Sequence, residues 1–318
     1  MRKLNNIILL AIIPILSLSC DDILEENITN DIIQIVTPQD GEIIEGNTVQ
    51  FSWQNLDGAD NYRIQVIKSN QVYELDSLIT TNTFVYILEP GTYQWRVKGK
   101  NFAYETPYTF PANFSVIESS DLSNQNVALL TPSDNFYTNS PNFNFTWSPV
   151  NSTISYDFEI VKSLNGQTTV FQQSEIAETN ISVDENVFDE DAEYIWKVKA
   201  VNANSETEYA ERSIFIDRVV PNQPTLISPE DQGTSSLTVS FNWSNGADSG
   251  NVQSTITNTI EIASDIDFNS VVHSASTVNN TYQYVFSTPE TYYWRIIAKD
   301  EATNQSDYSI VRSIIVQQ

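Results

Sequence analysis

The chain of 318 residues has one cysteine, one histidine and one methionine. A lone cysteine, Cys20, excludes an intrachain disulfide. One thiol and one imidazole, His273, do not assemble a zinc site or a Ser-His or Cys-His nucleophile. Glycine is sparse at 9 residues, and neither a P-loop nor a dinucleotide-binding fingerprint occurs. Basic residues are few, 15 against 41 acidic ones, for a net charge of −26. Such a chain repels nucleic acid and anionic lipid, so no nucleic-acid partner is expected. No apolar run reaches the ~20 residues of a resident transmembrane helix. These absences leave no catalytic residue, no metal site and no cofactor to assign. Carboxylate pairs for glycoside hydrolysis exist in number, but they need a deep cleft that raises the pKa of one member.

What is present points to a folded all-β chain. Hydrophobic residues at 40% and aromatics at 11% exclude a disordered polyanion. Six tryptophans fall into three pairs: Trp53 with Trp95, Trp147 with Trp196, and Trp243 with Trp294. The first of each pair ends "VQFSW", "FNFTW" or "VSFNW", and the second lies in "YQWRVKGKN", "YIWKVKAVN" or "YYWRIIAKD". Both sets alternate with period two, as half-buried strands do. Each copy opens on a Pro-x-Asp turn, at Pro38, Pro132 and Pro229, and carries a middle strand from Tyr62, Tyr156 or Asn258. Tyr108, Tyr209 and Tyr308 follow the second tryptophans at near-constant distance. A repeat of this length with short strands reads as tandem β-sandwiches, with all six tryptophans in the cores.

The combined pattern resembles fibronectin type III domains. That resemblance implies three sandwiches and a tyrosine corner, in which Tyr93, Tyr194 and Tyr292 bond back to the backbone just upstream. It says almost nothing of function.

Residues 1–19 have the layout of a secretory signal peptide: Arg2 and Lys3, an apolar run, then small residues. "LSLSCDD" resembles a bacterial lipobox, departing from it in having Ser17 where leucine is usual. The resemblance implies a lipid on Cys20 and anchoring to the outer membrane. The acidic cluster that follows is similar to the display signal of Bacteroidota-type surface lipoproteins. The expected division is a signal peptide over 1–19, an acidic tether over 20–31, fibronectin type III-like domain 1 over 32–117, a linker over 118–126, domain 2 over 127–218 and domain 3 over 219–318.

Ligand sites are expected where the copies differ. Domain 1 presents Arg63, Arg96, Lys98 and Lys100 on outward positions, without acids to match Asp157 and Glu159, which face Lys197 and Lys199 across the strands in domain 2. This stripe is expected to be free for an anionic ligand unless Glu74 or Asp76 neutralises it. Phe102 and Tyr104 stand beside it where domain 2 has Ala203 and Ser205. Domain 3 has a longer, polar loop, "SNGADSGNVQSTIT", before its middle strand, and extra tyrosines Tyr282, Tyr284 and Tyr293. Loops on rigid scaffolds commonly carry binding. Two acidic stretches, "FDEDAEY" and "DIDF", lack the shaped loop that calcium needs and read as solvated acids. The plan resembles the surface glycan-binding lipoproteins of polysaccharide-utilisation systems. That implies a non-catalytic protein that captures polysaccharide, anionic polymers included, beside an outer-membrane uptake complex. A passive spacer or adhesion stalk that binds a protein is the rival reading.

Overall fold

The computed structural model describes residues 25–245 and 248–318. Cys20 and the signal segment lie outside them. The described chain repeats one eight-stranded plan three times. The first copy has β1 (Ile35–Thr37), β2 (Glu42–Glu45), β3 (Thr48–Trp53), β4 (Asn61–Lys68), β5 (Tyr73–Ile79), β6 (Thr83–Ile87), β7 (Gly91–Lys100) and β8 (Ala112–Ile117). The second has β9 (Leu129–Thr131), β10 (Phe136–Thr138), β11 (Phe143–Trp147), β12 (Ser155–Ser163), β13 (Gln167–Ile176), β14 (Asn180–Val183), β15 (Ala192–Val201) and β16 (Ala210–Ile216). The third has β17 (Thr225–Ser228), β18 (Gly233–Ser235), β19 (Thr238–Ser244), β20 (Thr257–Ala263), β21 (Val271–Thr277), β22 (Thr281–Val285), β23 (Thr291–Lys299) and β24 (Arg312–Val316).

Sheet order repeats with the strands. The small sheets run β1-β3-β6, β9-β11-β14 and β17-β19-β22. The large ones run β2-β8-β7-β4-β5, β10-β16-β15-β12-β13 and β18-β24-β23-β20-β21. Each pair of sheets encloses one core, as an all-β tandem requires.

The six tryptophans fill those cores, none more than 2% exposed. Each removes on the order of 200 Å² from water, worth roughly 5 kcal/mol before entropy is counted. The same ring contact recurs at 4.9–5.1 Å: Phe51 on Trp95, Phe145 on Trp196 and Phe241 on Trp294. Tyr194 donates its hydroxyl to the Glu190 carbonyl at 3.0 Å and Tyr292 to the Thr288 carbonyl at 3.1 Å, which is the corner expected of these tyrosines.

The Pro-x-Asp turn also has a common purpose. Asp40, Asp134 and Asp231 each accept the backbone N–H of a last-strand residue, Asn113, Ser213 or Ser313, at 2.8–2.9 Å. The next residue is left-handed in every copy: Gly41 at φ +84°, Asn135 at +55° and Gln232 at +59°. Glycine and asparagine tolerate that conformation best.

The described part of the segment read as tether, residues 25–31, and the segment read as linker each bury an apolar side chain. Ile28 and Leu122 are fully buried, and Leu122 joins the core of domain 2.

Candidate functional site

The domain 1 stripe is not free. Arg63 donates to both oxygens of Asp76, at 2.7 and 2.9 Å, and Gln65 donates to the same carboxylate. Arg96 donates to the Gln65 side-chain oxygen at 2.9 Å. Lys98 and Lys100 both pair with Glu105. The Asp76 and Glu105 carboxyls sit below their ordinary range, chiefly through their hydrogen bonds with Arg63 and with Lys98. Arg96 and Lys98 also lie over the ring of Tyr108. Lys199 over Tyr209 and Arg295 over Tyr308 repeat that arrangement. The stripe is therefore part of how every module is built.

The domain 3 tyrosines do not gather into one patch. Tyr282 and Tyr284 face inward from β22 and pack against the core. His273 bonds the Tyr282 hydroxyl at 2.8 Å and stacks on Tyr284 at 4.3 Å, closing one edge of the sandwich. His273 is thus half-buried between strands, not a free surface residue. Tyr293 lies on the outer face of β23, in a recess with Asp231, Ile266 and Val311.

Phe102 and Tyr104 do stand out. Phe102 is 92% exposed and Tyr104 36%. Their turn is held by Asn101, whose side-chain oxygen accepts the Ala103 and Tyr104 N–H groups at 3.1 and 2.7 Å. Phe110 is 95% exposed as well, and no repeat difference in the sequence singles it out.

Acids of both stretches have protein partners. Lys162 pairs with Asp189 and Glu190, and Arg218 with Asp191. Asp265 closes its own turn by accepting N–H groups from Asp267, Asn269 and Ser270.

The long domain 3 loop is used for packing. Asn251, Val252 and Gln253 share a recess with Leu164, Ala192 and Phe215 of domain 2. Val252 is 5% exposed. Gly250, at φ +107°, brings its backbone so near Val219 that a Cβ there would meet a Val219 methyl at 3.2 Å. Domains 2 and 3 lie within one compact unit, and the insertion belongs to their junction.

The first two modules grip the segment before them through the same position. Asn101 donates to the carbonyls of Glu26 and Gly58, both at 2.8 Å. Asn202 donates to those of Ser120 and Ser152, at 3.0 and 3.2 Å. The third copy has Asp300 there, and Asn304 donates to the Asp217 carbonyl instead, at 3.0 Å. Asp217, Asp248 and Asp300 converge at this junction, one oxygen of each lying within 4.8 Å of the others. Burial pushes the Asp217 carboxyl up to about 6, and it also raises Asp300. The only sequence sign of this cluster is the acid at 300 where the other copies have asparagine.

No protein-family model matches the chain. No curated protein matches it either. Among solved structures, the FN1–FN3 domains of chicken CNTN1 are similar at 14% identity and a TM-score of 0.44, over 90% of this chain and 98% of that one. Fibronectin(III)-like modules of Clostridium thermocellum CbhA are similar at 13% identity and a TM-score of 0.23, over 58% of this chain and 94% of that one. By its own repeated strand order the chain is three tandem fibronectin type III-like modules.

Proposed function

We propose that this chain is a non-catalytic, lipid-anchored protein of the cell surface that acts as a spacer or adhesion stalk and meets a protein partner. One observation carries this reading. The basic stripe, Tyr282 and Tyr284 of domain 3 and the long loop, which set single copies apart as ligand sites, are engaged in folding contacts. The module grips at Asn101 and Asn202 support a chain whose joints are themselves built parts. The lipid on Cys20 remains the reading of the "LSLSCDD" stretch, as does display on the outer membrane.

A second reading, capture of polysaccharide for an outer-membrane uptake system, is favoured by Phe102 and Tyr104. An exposed ring on a turn pinned by Asn101 can stack on a sugar face. Native gels of residues 21–318 containing neutral, uronate-rich and sulfated polysaccharides separate the two. Unretarded migration in every gel supports the stalk. Retardation by one polymer, abolished by Phe102→Ala, replaces the stalk with glycan capture.

A further inference from the structure

We propose that Asp217, Asp248 and Asp300 bind a calcium ion that ties the segment entering domain 3 to that domain's long loop and last turn. This rests on the junction's chemistry and not on whether the stalk or the glycan reading holds.

The carboxylates come from three separate places: the end of domain 2, the inserted loop, and the turn after β23. Asp217 is 0% exposed and Asp300 5%. Two oxygens on one calcium, each about 2.4 Å from it, can stand at most about twice that far apart. The three carboxylates meet that limit. Among the described residues, no lysine or arginine forms an ion pair with any of them.

Their hydrogen bonds leave one side of the cluster open. Asp217 Oδ1 accepts the Val219 N–H at 3.0 Å, and Asp217 Oδ2 is buried with no partner. Asp248 Oδ2 accepts the Ser254 N–H at 2.8 Å, and Asp248 Oδ1 is likewise buried without a partner. Asp300 is oriented by Asn304, whose backbone N–H and side-chain amide donate to its two oxygens at 2.7 and 2.8 Å. Protein donors thus position each carboxylate, as outer partners do around metal ligands. A buried carboxylate oxygen with no donor needs a positive charge beside it.

The other copies supply an independent argument. In Asn101 and Asn202 the side-chain oxygen accepts turn N–H groups, and the amide nitrogen donates across the joint. Asp300 keeps the accepting oxygen but puts a second oxygen where the donor nitrogen stood. Asp217 is also set apart. It is buried, whereas Asn27 and Asp121, which accept the N–H two residues on in the same way, are exposed. A donor has become an acceptor facing two further acceptors; Asn304 takes over the bond to the Asp217 backbone carbonyl, and the three carboxylates are left with no positive group between them. Hard oxygens alone, with no nitrogen or sulfur ligand, select calcium or magnesium. A buried set of three carboxylates suits calcium, because magnesium holds its waters.

The test is calorimetric titration of the EDTA-stripped protein with calcium chloride, together with thermal melts with and without the ion. One saturable site per chain, with Kd of about 1 mM or tighter, and a higher Tm in calcium are expected. Asp300→Asn should abolish the saturable heat and the Tm gain. Asp248→Asn, on the loop, should weaken binding at least tenfold in a chain that still folds. Asp189→Asn should leave binding unchanged. Absence of a saturable site in the wild-type protein, unchanged binding in Asp248→Asn, or a stronger response to magnesium than to calcium would overturn the proposal.

Discussion

The guanidinium of Arg295 sits over the ring of Tyr308, its central carbon 3.6 Å from the ring centroid, while the same group pairs with Glu261 at 2.7 Å. Arg96 over Tyr108 at 4.4 Å and Lys199 over Tyr209 at 5.3 Å repeat the pairing. A cation on an aromatic face, with an acid beside it, is thus a shared outer element of these modules. It tells against reading the basic residues of one copy as a ligand site.

Tyr108→Ala should lower the stability of its module by about 1–2 kcal/mol, from the lost cation contact and the ring area uncovered. Tyr108→Phe keeps the ring face and should cost much less. Hydrogen–deuterium exchange under mild urea resolves the modules. It should show faster exchange in domain 1 for the alanine variant only. Equal effects of both variants would place the weight on the hydroxyl instead.

Asn202 supplies two donors and an acceptor to the entry of domain 2, holding Ser120, Ser152, Asn204 and Ser205. Asn202→Ala should cost about 1–2 kcal/mol, the usual worth of such a pair of bonds. Exchange should quicken around Leu122 while the β-strand cores of domain 3 are unchanged. Protection around Leu122 equal to wild type would show that apolar burial alone holds the segment.

Asp217 carries the pH dependence of the junction. Its folded pKa of about 6 lies above the ordinary 3.8. Its contribution to stability is therefore fully present below about pH 4 and is lost as pH rises through about 6. At neutral pH the ionised, desolvated carboxylate costs roughly 3 kcal/mol in the absence of a cation. Asp217→Asn in EDTA at pH 7.5 should accordingly melt higher than wild type, and the gap should close toward pH 4.5. Melts across that range read the effect directly, and a variant that is less stable at pH 7.5 would contradict it.

Cys20→Ser should release the protein from membranes without changing its fold. Membrane fractionation of cells expressing each form reads this. Equal membrane retention of the variant would remove the lipid anchor from the account.

Several features were legible because their causes are local or repeat with the strands. Alternation in "FNFTW" and "YIWKVKAVN" placed Trp147 and Trp196 in a core, since successive strand residues point to opposite faces. The tyrosine corner is a contact over four residues, Tyr194 to Glu190, so sequence spacing contains it. The partners of the basic stripe come from register, so in the sequence Asp76 stood only as one of two acids that could neutralise it. Glu105 meets Lys98 and Lys100 only once the chain has turned beside β7, and Asp76 meets Arg63 only through the pairing of β4 with β5. The loop after Trp243 read as a candidate ligand site because it is long and polar, yet Val252 and Gly250 seat it against domain 2 and Val219.

By itself the sequence determined the all-β class, the three copies and the residues of their cores, because period-two alternation and turn chemistry act over a few residues. Only the tertiary structure decided which charges are neutralised, which aromatics remain in solvent, and that Asp217, Asp248 and Asp300 meet. Those outcomes depend on desolvation and on distances between segments far apart in the chain, and residue order contains neither.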